Sequence, residues 1–132
     1  MTSKFILPNE INESTNFDKY DFIFLTNAQI QLLQKNDFDL AINTMSFAEM
    51  KESDIIGYFN LLRNILKKKN LFYCLNAVEK PMSYKGQISP NRFSSYPWSF
   101  KDHDYRYELS PVEQGRTYKP FYVRIAKLSV NH

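Results

Sequence analysis

The feature that most constrains the fold is the stretch Asp39–Glu79, in which two short apolar segments flank one amphipathic helix. Asp39–Thr44 and Leu71–Asn76 are nearly continuously apolar, as strands covered on both faces tend to be. Because a strand, a helix and a second strand form a βαβ unit, this pattern predicts two parallel strands joined by a right-handed crossover. The apolar stripe of the helix follows the 3.6-residue period and comprises Ile55, Phe59, Leu62 and Leu66.

The ends of this predicted helix, Ser53–Lys69, carry residues suited to helix termini. Ser53 can cap the first turn, and Asp54 suits the positive end of the helix dipole. Lys67 and its two lysine neighbours suit the negative end. The sequence therefore predicts a helix that continues through Lys69.

The chain before this unit predicts further alternation of strands and helices. Tyr20–Thr26 is aromatic and β-branched, which favours a strand, and Ala28–Lys35 reads as a short helix capped by Asn27. Residues 20–80 are thus expected to form a βαβαβ core, which is typical of an α/β domain. Residues 1–17 are expected to form an N-terminal arm.

The last third of the chain has a different composition. Residues 81–104 contain prolines and scattered aromatic residues without a helical period, which predicts a long aromatic-rich loop. Tyr105–Leu109 and Phe121–Ala126 alternate apolar and polar residues, so residues 105–130 are expected to form an antiparallel strand pair. A change of phase after the second segment predicts a bulge or twist near Ala126.

Length and composition indicate a single, partial α/β domain over residues 1–132. Hydrophobic residues make up 43% of the chain, and the net charge of +3 is too diffuse for a nucleic-acid interface. No apolar run approaches the about 18 residues of a membrane span, and no secretory signal is visible, so a cytoplasmic protein is expected. The single cysteine, Cys74, is expected to be a buried apolar residue. His103 lies between two aspartates, but no residues have metal-ligand spacing, so no metal site is expected.

Three segments together resemble the second half of a class I S-adenosylmethionine-dependent methyltransferase. They are Phe38–Met50, the Tyr58–Phe59 pair and Leu71–Asn76, and they are most similar to the sugar O-methyltransferase family. The resemblance covers roughly residues 20–80, and its most specific part is the S-F-x-E-M run Ser46–Met50. It implies a Rossmann-like sheet of parallel strands and helices that ends in an antiparallel pair, with S-adenosylmethionine as cofactor.

The resemblance also implies which residues form a site, because ligands of open α/β sheets bind beyond the carboxyl ends of the strands. Asn43 is then expected to contact the cofactor, Ser46 the acceptor, and Glu49 to orient or deprotonate an acceptor hydroxyl. Each residue has a plainer alternative. Asn43 could bond its own backbone, Ser46 could cap the loop, and Glu49 could stand at the positive end of the following helix.

Acceptor contacts are also expected from Asn76, after the second strand, and from Trp98, whose ring could stack on a sugar. The alternative for Trp98 is that the aromatic residues of the loop fill a satellite core. Family members tend to have an Asn-Arg pair where this chain has Asn76 followed by Ala77, so Lys80 could substitute for the missing arginine, although it could equally be a solvated lysine.

The chain lacks the glycine-rich turn that holds the cofactor in such enzymes, since none of its three glycines follows an early strand. It is expected to be the C-terminal portion of an O-methyltransferase acting on a small-molecule hydroxyl, such as a sugar hydroxyl, and by itself to bind cofactor weakly or not at all. The alternative is a non-catalytic α/β binding or interaction module. The open edge of Asp39–Thr44 is expected to be covered by the Tyr20–Thr26 strand, with a homodimer or an N-terminal partner segment as the other options.

Overall fold

The computed structural model describes residues 3–33, 38–84, 87–110 and 120–131. They belong to two compact units, one up to residue 33 and one from residue 38 onwards. Two of the three glycines, Gly86 and Gly115, lie outside the described residues, as does the end of the predicted Ala28–Lys35 helix.

The first unit contains little regular structure. Strands β1 (Phe5–Ile6) and β2 (Phe22–Ile23) form a two-residue parallel pair. The predicted Tyr20–Thr26 strand is therefore wrong in extent, and β2 pairs with β1 rather than with the strand that begins at Phe38. The unit also contains 3-10 helices at Pro8–Glu10, Phe17–Lys19 and Asn27–Leu32.

The last of these 3-10 helices replaces the predicted α-helix. It begins after Thr26, which is the N-cap in place of Asn27. The Gln29 side chain accepts from the Thr26 backbone N–H at 3.1 Å and donates to the Pro8 carbonyl oxygen at 2.8 Å. These contacts fix a tight turn, and Leu33 already has an extended backbone. Local polar contacts therefore decide the conformation here, and the apolar spacing does not.

The second unit contains a four-stranded sheet, one α-helix and a separate hairpin. The sheet has the strand order β3-β4-β8-β7, and the hairpin consists of β5 and β6. Within the described residues the fold is thus mixed α/β and rich in strands. The bounds are β3 Phe38–Thr44, α1 Glu52–Ile65, β4 Leu66–Ala77, β5 Glu79–Tyr84, β6 Gln87–Arg92, β7 His103–Leu109 and β8 Phe121–Lys127.

The predicted crossover is confirmed. β3 and β4 run parallel, from the Leu40–Leu71 pair to the Thr44–Leu75 pair, and α1 lies between them in the chain. The predicted antiparallel pair is also confirmed, since β7 pairs with β8, and β8 in turn pairs antiparallel with β4. The predicted irregularity near Ala126 is confirmed, since the register shifts between the Asp104–Ala126 and Arg106–Ile125 pairs, with the extra residue, Tyr105, in β7.

The predicted end of the helix is wrong by one turn. α1 ends at Ile65, and the lysines assigned to its last turn lie in β4 instead. Leu66 is fully buried and pairs with Phe38, and the Lys67 ammonium donates to Asp39 at 2.8 Å. Pairing with β3 therefore outweighs the helical spacing that included Leu66. The helix also begins at Glu52, with Lys51 rather than Ser53 at the N-cap.

The predicted loop over residues 81–104 is wrong in its first half, which is the β5–β6 hairpin. Its register places Pro81 opposite Pro90. Prolines disfavour central strands because they lack a backbone N–H, but a two-stranded sheet has a free edge on each strand and tolerates them. A 3-10 helix, Phe93–Ser95, then leads the chain towards β7.

The main core cluster lies on one face of the four-stranded sheet, and Ala48, Ala77 and Phe121 form a smaller, separate buried cluster. Alternate residues of β4 pack in the main cluster against α1 and against aromatic residues that follow the hairpin. On the opposite face, Leu40 and Ile42 are 50% and 64% exposed. No described helix is long and apolar enough to cross a membrane. The buried residues of the main cluster are Phe47, Ile55, Phe59, Leu66, Phe72, Cys74, Phe93, Tyr96 and Leu128.

Candidate functional site

The parallel pairing of β3 with β4 brings two asparagines to one end of the sheet. Asn43 lies one residue before the end of β3, and Asn76 one residue before the end of β4. Because the strands are parallel, their carboxyl ends meet at the same edge, which is where ligands of open α/β sheets bind.

The backbone turns sharply just after β3. Met45 has a φ of 60°, in the left-handed region that non-glycine residues rarely adopt. Its N–H donates to the carbonyl oxygen of Leu75 at 2.7 Å, so a bond to β4 holds the turn. A 3-10 helix, Phe47–Glu49, follows directly. Strained backbone of this kind is concentrated at functional sites, where the surrounding structure maintains it.

Asn43, Ser46 and Asn76 form one hydrogen-bonded chain. The Asn76 side-chain amide donates to Asn43 Oδ1 at 2.8 Å, and the Asn43 amide donates to Ser46 Oγ. Asn76 is fully buried, and its Oδ1 accepts from the Ala48 backbone N–H at 3.1 Å. The structure therefore brings three of the predicted site residues together. Ser46 accepts from Asn43, which leaves its own hydroxyl hydrogen to donate to a ligand.

Glu49 lies at the end of the same turn and forms an ion pair with Lys80 of β5. The Glu49 side chain is 60% exposed, so its carboxylate remains accessible to a ligand from solvent. The position differs from the alternative considered above, since Glu49 ends a 3-10 helix and α1 begins three residues later. Lys80, considered a substitute for a missing arginine, instead neutralises the candidate base.

Sequence reasoning missed Asn91 of β6. Its side-chain amide donates to the carbonyl oxygens of Phe47 at 2.8 Å and Met50 at 2.9 Å, which fastens the turn at both ends. Asn91 also lies opposite Lys80 in the hairpin register. One rung of the β5–β6 hairpin thus supplies both the partner of Glu49 and the clamp of its turn. No signal in the sequence marks Asn91, because its role depends on the hairpin.

Trp98 lies in the core, as the alternative for the aromatic residues predicted. Its ring packs perpendicular to Phe59 with centroids 4.8 Å apart, and its centroid lies 5.7 Å from that of Phe72. The Arg124 guanidinium lies 4.1 Å from the Trp98 ring centroid. These contacts make Trp98 a packing residue of the second unit. They do not support its expected role in acceptor binding.

The cysteine and the histidine flanked by aspartates also have structural surroundings. Burial raises the pKa of the Cys74 thiol to about 12, against a smaller lowering by the Asn76 amide. His103 is exposed on β7. Its two aspartate neighbours pair with arginines, Asp102 with Arg63 and Asp104 with Arg124. No group of three or more potential metal ligands occurs among the described residues.

Comparison with known proteins assigns no function to the site. No protein-family model matches the chain, and no curated protein matches it. What the geometry offers is a strained turn at the carboxyl edge of a parallel strand pair, a donor hydroxyl on Ser46 and an accessible carboxylate on Glu49. Such a set can orient a small molecule that carries hydroxyl groups.

Proposed function

We propose that this chain is the C-terminal portion of a class I S-adenosylmethionine-dependent methyltransferase that acts on a hydroxyl of a small molecule, such as a sugar. The observation that carries the proposal is the parallel pairing of β3 with β4 across α1, since it gathers Asn43, Ser46 and Asn76 at one edge. The antiparallel strands β8 and β7 that complete the sheet also agree with how sheets of that class end.

The proposal includes a Rossmann-like sheet of which β3, β4, β8 and β7 form one side. Sheets of that type carry helices on both faces. Here α1 and the aromatic residues cover one face, while Leu40 and Ile42 on the other remain half-exposed or more. An apolar face of this kind is typical of a sheet that receives further helices, which supports the finer assignment.

The residues of the turn have distinct roles in this proposal. Asn43 faces the cofactor and Ser46 orients the acceptor, while the fully buried Asn76 positions both through its hydrogen bonds to Asn43 and to the Ala48 N–H. Glu49, held by Lys80, accepts the proton of the acceptor hydroxyl as the hydroxyl attacks. S-adenosylmethionine supplies an electrophilic methyl group on a sulfonium, so the protein contributes mainly in-line positioning.

The described residues fit one side of such a cofactor. Gly57, the one described glycine, lies inside α1 and cannot form a glycine-rich turn after a strand. The rim at Asn43 is therefore the part of the cradle that this chain supplies. Binding of S-adenosylmethionine by this chain is expected to be weak, with a Kd of about 1 mM or higher, which corresponds to roughly −4 kcal/mol.

An NMR titration with S-adenosylmethionine tests the proposal. The backbone amides of residues 43–50 and 76–80 are expected to shift, and Asn43→Ala is expected to weaken the response. The matched control is Asn60→Ala, which changes an exposed asparagine on α1 and should leave the titration unchanged. Amides that remain unshifted at several millimolar ligand, or a response that ignores Asn43→Ala, would contradict the proposal.

A second candidate is a non-catalytic interaction module. The observation that favours it is the same exposed apolar surface on the sheet, because large apolar patches commonly mark interaction sites. Under this reading the amides around Asn43 do not respond to S-adenosylmethionine or to sugars.

A further inference from the structure

The two edges of the four-stranded sheet differ in how they are protected from pairing with another chain. The β7 edge carries the charged residues Asp104, Arg106 and Glu108 and a register shift, which are devices that block edge-to-edge association. The β3 edge has seven residues, no lysine, no proline and one charge, that of Asp39. Lys67 neutralises this charge from within the same chain.

The unprotected edge also carries exposed apolar side chains. Leu40 and Ile42 alternate with inward residues of β3 and lie on the same face as Leu71, to which Leu40 is paired. Among the described residues, β3 has β4 as its one neighbouring strand. A strand with one unpaired edge and exposed apolar side chains is a template for another strand.

We propose that a second copy of this chain pairs antiparallel with β3, about a two-fold axis at Ala41. This register is the one that pairs all seven residues of the strand, since Ala41 is its middle residue. It sets Leu40 against Ile42 of the second copy, so the exposed apolar side chains meet across the junction. Asp39 faces Asn43, and no like charges lie opposite each other.

A self-complementary edge explains why a second copy is the partner that fits best. A two-fold contact uses the same patch on both copies, so the patch must be complementary to itself. The β3 sequence is, because apolar residues face apolar residues and no like charges meet. The register also places Asp39 of the second copy beside Asn43, next to the Asn43–Ser46–Asn76 chain. The pairing uses the edge at which the proposed Rossmann-like sheet would continue, so it applies to this chain by itself, and because it requires no cofactor it is tested separately from cofactor binding.

The expected dimer is weak. Seven paired residues extend over about 23 Å, and one such edge buries less than the roughly 800 Å² per partner of a standard interface. Sedimentation equilibrium is expected to show an average mass that rises from 15.7 kDa towards twice that value between about 10 μM and about 1 mM protein. A constant mass of one chain over this range overturns the proposal.

Two lysine substitutions locate the contact. Ile42→Lys is expected to weaken dimerisation at least about tenfold, since it places a charge in the centre of the junction. The control is Tyr105→Lys on the opposite edge, where the native side chain is similarly exposed, at 60%, and it should change the Kd by less than about twofold. Equal effects of both substitutions, or none from Ile42→Lys, overturn the proposal. Circular dichroism establishes that each variant is folded.

A cysteine trap tests the register without requiring a destabilising change. Residues directly opposite in an antiparallel pair have Cα atoms about 4.5–5.5 Å apart, within the range that a disulfide spans. Ala41→Cys is therefore expected to yield a disulfide-linked dimer on mild oxidation, whereas Tyr105→Cys is not. Native Cys74 is buried and does not compete. Cross-linking of Tyr105→Cys but not of Ala41→Cys overturns the proposal. A chain that stays monomeric and binds a different polypeptide along β3 also overturns it.

Discussion

Replacing Arg63 by alanine tests how strongly the second unit depends on one buried ion pair. The Arg63 guanidinium donates to both Asp102 carboxylate oxygens, at 2.8 and 2.9 Å, and to the carbonyl oxygen of Ser129 at 2.8 Å. The Asp102 side chain is fully buried and the Arg63 side chain is 11% exposed. The pair thereby joins α1 to the segment before β7 and to the segment after β8.

The magnitude follows from what remains after the substitution. Removing one partner of a buried ion pair costs about 3–5 kcal/mol, because the other charge stays buried. Asp102 would retain hydrogen bonds from the backbone N–H groups of Ser99 and Ser129, both at 2.8 Å. These two donors favour the lower part of the range, about 3–4 kcal/mol. That is a large share of the about 5–15 kcal/mol by which domains are stable.

Urea unfolding followed by the fluorescence of Trp98, the single tryptophan, is a suitable assay. With a slope of about 1–1.5 kcal/mol per molar urea for a unit of this size, the midpoint of Arg63→Ala should fall by about 2–4 M. The matched control is Arg92→Ala, which breaks the exposed Arg92–Glu79 pair and should cost about 1 kcal/mol or less. If both variants lose the same stability, the buried pair does not have the role assigned to it.

Three further predictions concern pH, helix propensity and thiol reactivity. Burial alone would raise the pKa of Asp102, but hydrogen bonds, first that of Arg63, hold this pKa below its ordinary value of 3.8. The carboxylate therefore stabilises the fold above pH 3.8, and the stabilisation is lost as the pH falls through the lowered pKa. Urea titrations of Asp102→Asn should show a loss of stability at pH 7 that shrinks below pH 3.8, and a loss independent of pH would contradict this. Gly57→Ala should raise the free energy of unfolding by about 0.5–1 kcal/mol, since a Cβ at this helical position has nothing within 4 Å. A decrease in the free energy of unfolding would contradict this. Cys74, with a pKa of about 12, should react with a thiol reagent at pH 8 at the rate of unfolding, and fast labelling of the native chain would refute its burial.

Some features of the fold were determined by local sequence pattern. The parallel β3–β4 pair and the antiparallel β7–β8 pair were predicted from apolar runs and alternation, because these patterns are typical of strands. Burial on both faces of β3 was not predicted correctly, since Leu40 and Ile42 are exposed. The burial of Cys74 followed from its place in an apolar strand. The meeting of Asn43 with Asn76 followed in turn, since parallel strands bring their carboxyl ends together.

Other features depended on contacts between residues distant in the chain. The lysines after Ile65 suit a helix end by charge, yet pairing of Leu66 with Phe38 draws them into β4. The sequence left Trp98 between an acceptor contact and a place in a satellite core, and Phe59 and Phe72 provide the core into which it packs.

The sequence by itself determined the crossover and the strand ends at which the candidate site lies, because a buried strand or helix face is written in local spacing. Only the tertiary structure decided that Lys80 neutralises Glu49, that Asn91 clamps the turn and that Arg63 holds Asp102. Each of these contacts joins a polar side chain to a residue distant in the sequence, and the shortest separation is the 31 residues between Glu49 and Lys80. No local period encodes such a pair, since a polar side chain finds its partner only after the apolar residues have packed.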